Sequence, residues 1–162
     1  MARGTEIVVS SPRRGLDVAG YMKSGQTCKP GYILEIDASV DEINGLPTLK
    51  LAAPDADGGR PKGPLIVADI DFLQGKSTDD TYTAGSLVKG YIPVAGDLIN
   101  VVVKDVAGTA DDLTKGSILI VDTGTGMLML TTGTPETEPF MCMETVTDPT
   151  ANSLVSAYYT GY

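Results

Sequence analysis

The side chains best suited to chemistry are paired carboxylates. Asp69 and Asp71 fall on one face of an expected strand, and Asp79-Asp80 and Asp111-Asp112 are adjacent pairs. Two carboxylates at a fixed separation can divide acid and base roles in glycoside hydrolysis. Such a site also needs an aromatic sugar cleft, and this chain has no Trp, seven Tyr and two Phe. The pairs therefore read as charges that keep an edge strand from aggregating. Asp55-Ala56-Asp57-Gly58-Gly59 opens like a calcium loop, but the twelfth position, which should carry a bidentate Glu, is Ile66. A solvated turn is expected there. With no His and only Cys28 and Cys142, serine triads, His-ligated zinc and Cys-His nucleophiles are excluded. Cysteines so far apart fit no metal or redox spacing and are expected to be free, buried thiols. No cofactor is expected.

The elements that would position these groups are mostly strands. Nineteen Gly and ten Pro in 162 residues argue against a helical bundle, and 42% hydrophobic residues suffice for one ordinary core. The net charge of −9 opposes binding to DNA or to an anionic membrane. That charge is uneven: residues 1–30 carry five basic and two acidic side chains, the remainder seven and nineteen. A basic N-terminal segment and an acidic body are expected to face different surroundings. No run of about 18 apolar residues is present, and the first residues hold too short an apolar stretch for a secretory signal, so synthesis in the cytoplasm is expected.

Residues 1–22 read as an extended arm and 23–162 as the body. In the arm, Ile7-Val8-Val9 is β-prone but is followed by Ser-Ser-Pro-Arg-Arg-Gly, a break that denies it a hairpin partner. In the body, three segments share a polar turn ending in glycine that releases an apolar strand: GYILEID from Gly31, GDLINVVVKD from Gly96 and GSILIVD from Gly116. The first and third are closest, and both end in Asp, at Asp37 and Asp122. Such related units point to a pseudo-symmetric barrel or sandwich. Further strands are expected at 48–52, 65–70, 87–91, 127–130, 140–146 and 154–159, with a hairpin turn at Gly124-Thr125-Gly126. One helical turn is expected at 109–113. The loop from Pro54 to Pro64 is expected to be irregular. The fold class is all-β.

Three resemblances attach to short segments. Gly15-Leu-Asp-Val-Ala-Gly-Tyr21 is similar to a first motif of trimeric dUTPases, whose other motifs do not follow. The unit around Lys115-Gly116 and Ile118–Val121 resembles the half-barrel of biotinyl and lipoyl carriers, but the next turn, Asp-Thr-Gly-Thr-Gly, lacks the modifiable Lys. The third is broader. A glycine turn opening a strand (SGQTCKPGYILEI), a loop-rich middle, Tyr91-Ile-Pro-Val-Ala-Gly96-Asp97-Leu-Ile, then Thr114-Lys-Gly-Ser-Ile-Leu119, a glycine hairpin and Glu144-Thr-Val146 before a last strand follow the order seen in capsid decoration, or cement, proteins of tailed bacteriophages. The resemblance covers roughly residues 23–162.

It implies a small β-barrel or β-tulip-like sandwich with an extended N-terminal arm, located on the outer capsid surface and stabilising the shell. The implied partners are the major capsid protein and, in a homotrimer at local threefold positions, the chain itself, the alternative being a monomer at hexamer centres, without nucleic acid or membrane. By similarity the arm meets the capsid through Arg3, Thr5, Ile7, Val8, Val9, Arg13 and Arg14. Tyr158, Tyr159 and Tyr162 are candidate oligomer or capsid contacts, since clustered Tyr suits a protein interface. A non-enzymatic structural role is expected. The rivals are a phage fibre, spike or receptor-binding domain and, further off, a dUTPase-like enzyme.

Overall fold

The computed structural model describes residues 6–11, 15–53, 63–104, 113–131, 140–147 and 153–161. Its strands are β1 (Val8–Ser10), β2 (Leu16–Met22), β3 (Ile33–Ile36), β4 (Thr48–Leu51), β5 (Ile66–Ala68), β6 (Leu87–Ile92), β7 (Leu98–Val103), β8 (Ile118–Val121), β9 (Leu128–Thr131), β10 (Phe140–Cys142) and β11 (Ser153–Tyr159). A 3-10 turn, Phe72–Gln74, is the only helical element among the described residues. The fold is all-β, as the composition and turn pattern require.

Its organisation is two barrels in tandem. The first closes in the order β2-β4-β3-β5-β6. The second is a sheet ordered β1-β7-β11-β10-β8-β9 that returns on itself where β9 pairs with β7. Without β1, its connectivity repeats that of the first: β7 stands for β2, β8 for β3, β9 for β4, β10 for β5 and β11 for β6. Sense agrees as well as order, because both β2–β4 and β7–β9 are parallel while every other pair is antiparallel.

Register agrees residue by residue. Met22 faces Leu49 across the parallel pair, as Val103 faces Leu128. The Lys23 N–H donates to the Leu49 carbonyl and the Lys104 N–H to that of Leu128, both at 2.8 Å. Isolated bridges join Cys28 to Tyr82 and Leu113 to Val146. Asp37, at the end of β3, pairs with Lys23 at 2.7 Å; Asp122, at the end of β8, pairs with Lys104 at 2.9 Å. The glycines before β3 and β8 adopt positive φ, 87° at Gly31 and 94° at Gly116, and each N–H donates to a carbonyl of the adjoining strand segment, Ala68 or Cys142. An L side chain resists that backbone region, so glycine fixes the turn that launches each strand.

Two apolar clusters fill the molecule. Met22, Leu34, Leu49, Ile66, Tyr82 and Val88 form the core of the first barrel. The alternate residues of β3 and β5, Ile33 and Val67, join Ile99, Val101, Val103, Leu119, Phe140 and Val155 in the other. Successive strand side chains point to opposite faces, so Ile33-Leu34 of β3 and the whole of β5 are covered on both sides. That is why Ile33-Leu34 and Leu65–Ala68 read as unbroken apolar stretches instead of alternating ones.

The N-terminal segment departs from expectation. Residues 16–22 form a barrel strand paired along its length with β6. Ile7 is 1% exposed within the second cluster, and Val8 packs against it. The division into a free arm at 1–22 and a body at 23–162 is therefore corrected: β1 and β2 belong to the two barrels. The apolar run does lack a hairpin partner, but it finds a distant one in β7, with Val8 opposite Ile99.

Candidate functional site

Two polar networks hold the N-terminal segment in place. Asn100, on β7 and 5% exposed, donates its backbone N–H to the Ile7 carbonyl and its Nδ2 to the Glu6 carbonyl, both at 2.7 Å, while Oδ1 accepts from Ser156 Oγ. Its side-chain amide is thereby committed, as a buried amide must be. The second network centres on Tyr91, whose hydroxyl lies 2.7 Å from both Asp97 Oδ2 and Ser11 Oγ and accepts the Gly15 N–H at 2.8 Å. Burial, reinforced by the neighbouring Asp97 carboxylate, pushes the Tyr91 pKa up. Asp97 Oδ2 also accepts the Val94 N–H, fixing the turn between the barrels.

Of the paired carboxylates, Asp69, Asp71 and Asp80 are engaged in structural contacts. β5 ends at Ala68, so Asp69 and Asp71 lie in the following turn and not on a strand face, which corrects the expectation. Asp69 pairs with Lys89 at 2.9 Å and accepts the Ile70 N–H; the hydrogen bond from Lys89 to Asp69 holds the ammonium pKa up. Asp71 Oδ1 accepts from the Leu73 and Gln74 N–H groups, a cap for the 3-10 turn. Asp80 caps its own turn through Ser77, which lowers its pKa. Asp37 is held well below the usual carboxylate range by hydrogen bonds from Lys23 and Ser39. Cys28 and Cys142 are free and buried; burial alone pushes the Cys28 thiol up to about 12, far from a reactive thiolate at neutral pH. Among the described residues no group of three or more Cys, Asp and Glu has metal-ligating geometry.

The exposed apolar surface that the described residues show belongs to the first barrel. Among the described residues, the exposed large apolar side chains are Leu16, Ile36, Val40, Ile43 and Leu73, all from that barrel. Val40 and Ile43 stand on the segment between β3 and β4, which a tight Asn44-Gly45 turn closes; both turn residues have positive φ, as a type I′ hairpin needs. With Met22, Lys23 and Thr48 they line an open pocket of about 330 Å³. The corresponding connection from β8 to β9 is short, running from Asp122 to Met127, and projects no such apolar residues.

The arm and tyrosine residues scatter under this geometry. Arg3, Thr5, Arg13, Arg14 and Tyr162 lie outside the described residues, as do the side chain of Val9, the candidate calcium loop at 55–59, Asp111-Asp112 and most of the expected turn at 109–113. Ile7 is core, so it is not available as a capsid-docking side chain. Tyr159 is 8% exposed with its ring 5.3 Å from that of Phe140, which makes it chiefly a packing residue and corrects its reading as a contact. Tyr158 is half-buried. Sequence reasoning missed Leu16, Val40, Ile43, Tyr91 and Asn100. The Asn-Gly dipeptide was a usable signal for the exposed hairpin; the networks have no local signature.

No family model matches the chain, and no curated protein matches it. Among solved structures, the N-terminal base of the head fibre protein gp8.5 of bacteriophage phi29 superposes with a TM-score of 0.51 over 90% of this chain and 93% of that one, at 14% identity. The likeness is one of fold. It extends over both barrels, so the tandem arrangement as a whole, and not one small barrel, is what the two proteins share.

Proposed function

We propose that this chain is a structural protein of a phage head, bound to the outer surface of the assembled shell and bracing it. One observation carries the reading: the fold shared with a head fibre base runs through nearly the whole of both chains. The occupied carboxylates and the apolar surface of the first barrel agree with a protein that works by contact and makes or breaks no bond. A ligand that binds only the assembled lattice stabilises it by mass action, and an oligomer gripping several shell subunits adds avidity. A homotrimer at local threefold positions would meet that need. The acidic body would keep a crowded shell soluble, while Arg3, Arg13 and Arg14 would reach acidic patches on the major capsid protein.

The second reading is a base that seats a fibre, favoured by the same neighbour, which is itself such a base. The copy number in purified particles and their heat resistance separate the two. A bracing protein is present at every equivalent shell position, and particles lacking it fall apart at lower temperature. A fibre base leaves shell stability unchanged when removed and costs the particle its projecting fibre. Absence from virions ends both readings.

A further inference from the structure

The tandem barrels differ at one backbone site. In the second barrel, β7 gives the far half of one edge to β9 and the near half to β1, where Val8 faces Ile99 and the Asn100 N–H reaches the Ile7 carbonyl. The matching edge in the first barrel is the near half of β2. Its far half is used, since the Tyr21 and Lys23 N–H groups donate to Pro47 and Leu49. Strand groups alternate in direction, so the N–H and carbonyl groups of Asp17 and Ala19 point out of the same edge. Among the described residues no strand pairs there. Leu16, 69% exposed, and Asp17, also exposed, border this gap.

We infer that the near edge of β2 is a docking slot for an extended segment of another protein, one that carries a basic residue among apolar ones and adds to the first barrel as β1 adds to the second. Such strand addition gains affinity from main-chain bonds and specificity from alternate side chains. The filled slot shows what fits: an antiparallel strand of apolar residues. Counting excludes this chain's own strand as the general occupant, because each copy has two slots and one β1, so exchange between copies leaves one slot per chain open. Charge gives the partner its sign. Where the second barrel has Leu98 opposite Ser10, the first has Asp17, and Asp69 and Asp71 lie near enough to act with it on the single ammonium of Lys89. A basic residue opposite Asp17 completes a cross-strand pair of opposite charges. The inference is independent of whether the chain braces a shell or seats a fibre.

The test uses the full chain and a synthetic peptide copying residues 5–11 with lysine in place of Ser10, followed by amide NMR. Saturable shifts confined to Leu16–Gly20 are expected, with binding at least tenfold weaker in Ala19→Pro, which removes a slot-facing N–H and leaves the β6 ladder its donors. The unaltered peptide should bind several-fold more weakly at low salt, the gap narrowing as salt rises. Should Ala19→Pro fail to fold, Asp17→Lys, at an exposed position, must abolish the preference for the lysine peptide. Absent binding, equal binding by the proline variant, or shifts at Leu98–Asn100 overturns the inference. So does a wild-type dimer that Ala19→Pro converts to monomer, which would assign the slot to a second copy. None of these outcomes bears on particle copy number, so failure here and failure of the virion reading are separate results.

Discussion

Ala19 and Asn100 hold the same position in two copies of one ladder, and their surroundings differ. Asn100 is buried beneath β1 and bonded through its backbone and both side-chain polar atoms; Ala19 borders an edge on which, among the described residues, no strand pairs. The same contrast runs through both barrels. Among the described residues, the second has its edge filled, its connection from β8 to β9 short and no large apolar side chain exposed; the first carries an open edge, a longer hairpin and the exposed Leu16, Ile36, Val40, Ile43 and Leu73. One architecture used twice thus differs in what it leaves outside: one copy covers its edge, and the other keeps exposed apolar side chains beside an uncovered edge, the kind of surface from which binding energy is drawn.

The comparison breaks most visibly at Ile7. If β1 is an integral part of the second barrel, Ile7→Ala should cost about 2–5 kcal/mol, the range for truncating a buried aliphatic side chain. Urea unfolding checks it. A silent Ile7→Ala would mean that β1 contributes nothing to the core and that the two barrels are equally open. Removal of residues 1–11 should be more damaging still, since it also strips Asn100 of Glu6 and Ile7 and Tyr91 of Ser11.

Gly31 and Gly116 sharpen it further. Both hold positive φ in matching turns, so Ala at either should cost about 1–2 kcal/mol for the left-handed backbone alone. A Cβ at Gly116 meets open space, whereas one at Gly31 would lie 2.8 Å from Leu154 Cδ1 and 3.1 Å from Val102 Cγ2 in the second barrel. Gly31→Ala should therefore be clearly worse, and the excess measures how tightly the barrels abut. Equal losses in thermal unfolding would deny that contact.

Asn100→Ala makes the second slot resemble the first. It leaves the backbone bond to Ile7 and removes the Glu6 and Ser156 partners, so a loss of about 1–3 kcal/mol is expected for the buried groups left unsatisfied. Hydrogen exchange should quicken at Val8–Ser10 while β2 and β6 stay protected. If exchange in β1 is unaltered, the amide network does not retain the strand.

Much of this could be read from the residues, and the reasons differ by element. Gly31, Gly96 and Gly116 announced their strands because positive φ is a local demand that only glycine meets cheaply. The kinship of GYILEID and GSILIVD was also visible, and these strands, β3 and β8, do occupy matching places. GDLINVVVKD is a copy of something else: β7 matches β2, whose sequence from Gly15 to Lys23 shares with it only the opening Gly and closing Lys. Asp17 and Gly20 hid β2 as a strand, Gly20 being required because a Cβ would come 2.6 Å from the Pro47 carbonyl. Ile7–Val9 is legible as β-prone but not as part of a barrel, because the partner of β1 is a strand near residue 99 and no local rule joins them. The difference in exposure between the barrels was not legible at all. Ile36 and Ile33 are alike in sequence and opposite in burial, and closure of the barrels decides which is which.

Asp37 and Asp122 offer a gentler discrimination. Both end matching strands and both pair with lysine, but hydrogen bonds from Lys23 and Ser39 hold the Asp37 carboxyl well below its unfolded value of about 3.9. A depressed folded pKa contributes stability that is complete above the unfolded value and lost as pH falls below it toward the folded one. Stability should therefore decline below about pH 4, and Asp37→Asn should flatten that part of the profile while lowering stability at neutral pH. A variant as acid-sensitive as the parent would move the responsibility elsewhere.

Leu16 and Ile43 carry the smallest expected effect on folding and the most informative one on function. Exposed positions outside any cap or core usually change stability by less than about 0.5 kcal/mol, so Leu16→Ser and Ile43→Ser should unfold with the parent. If the first barrel is the adhesive copy, the same substitutions should release the protein from purified shells, assayed by co-sedimentation, and a double variant should release more than either alone. Met129→Ser, at a half-buried position on the second barrel, is the control. Loss of sedimentation from Met129→Ser with retention by Leu16→Ser and Ile43→Ser would reverse the assignment of roles between the barrels.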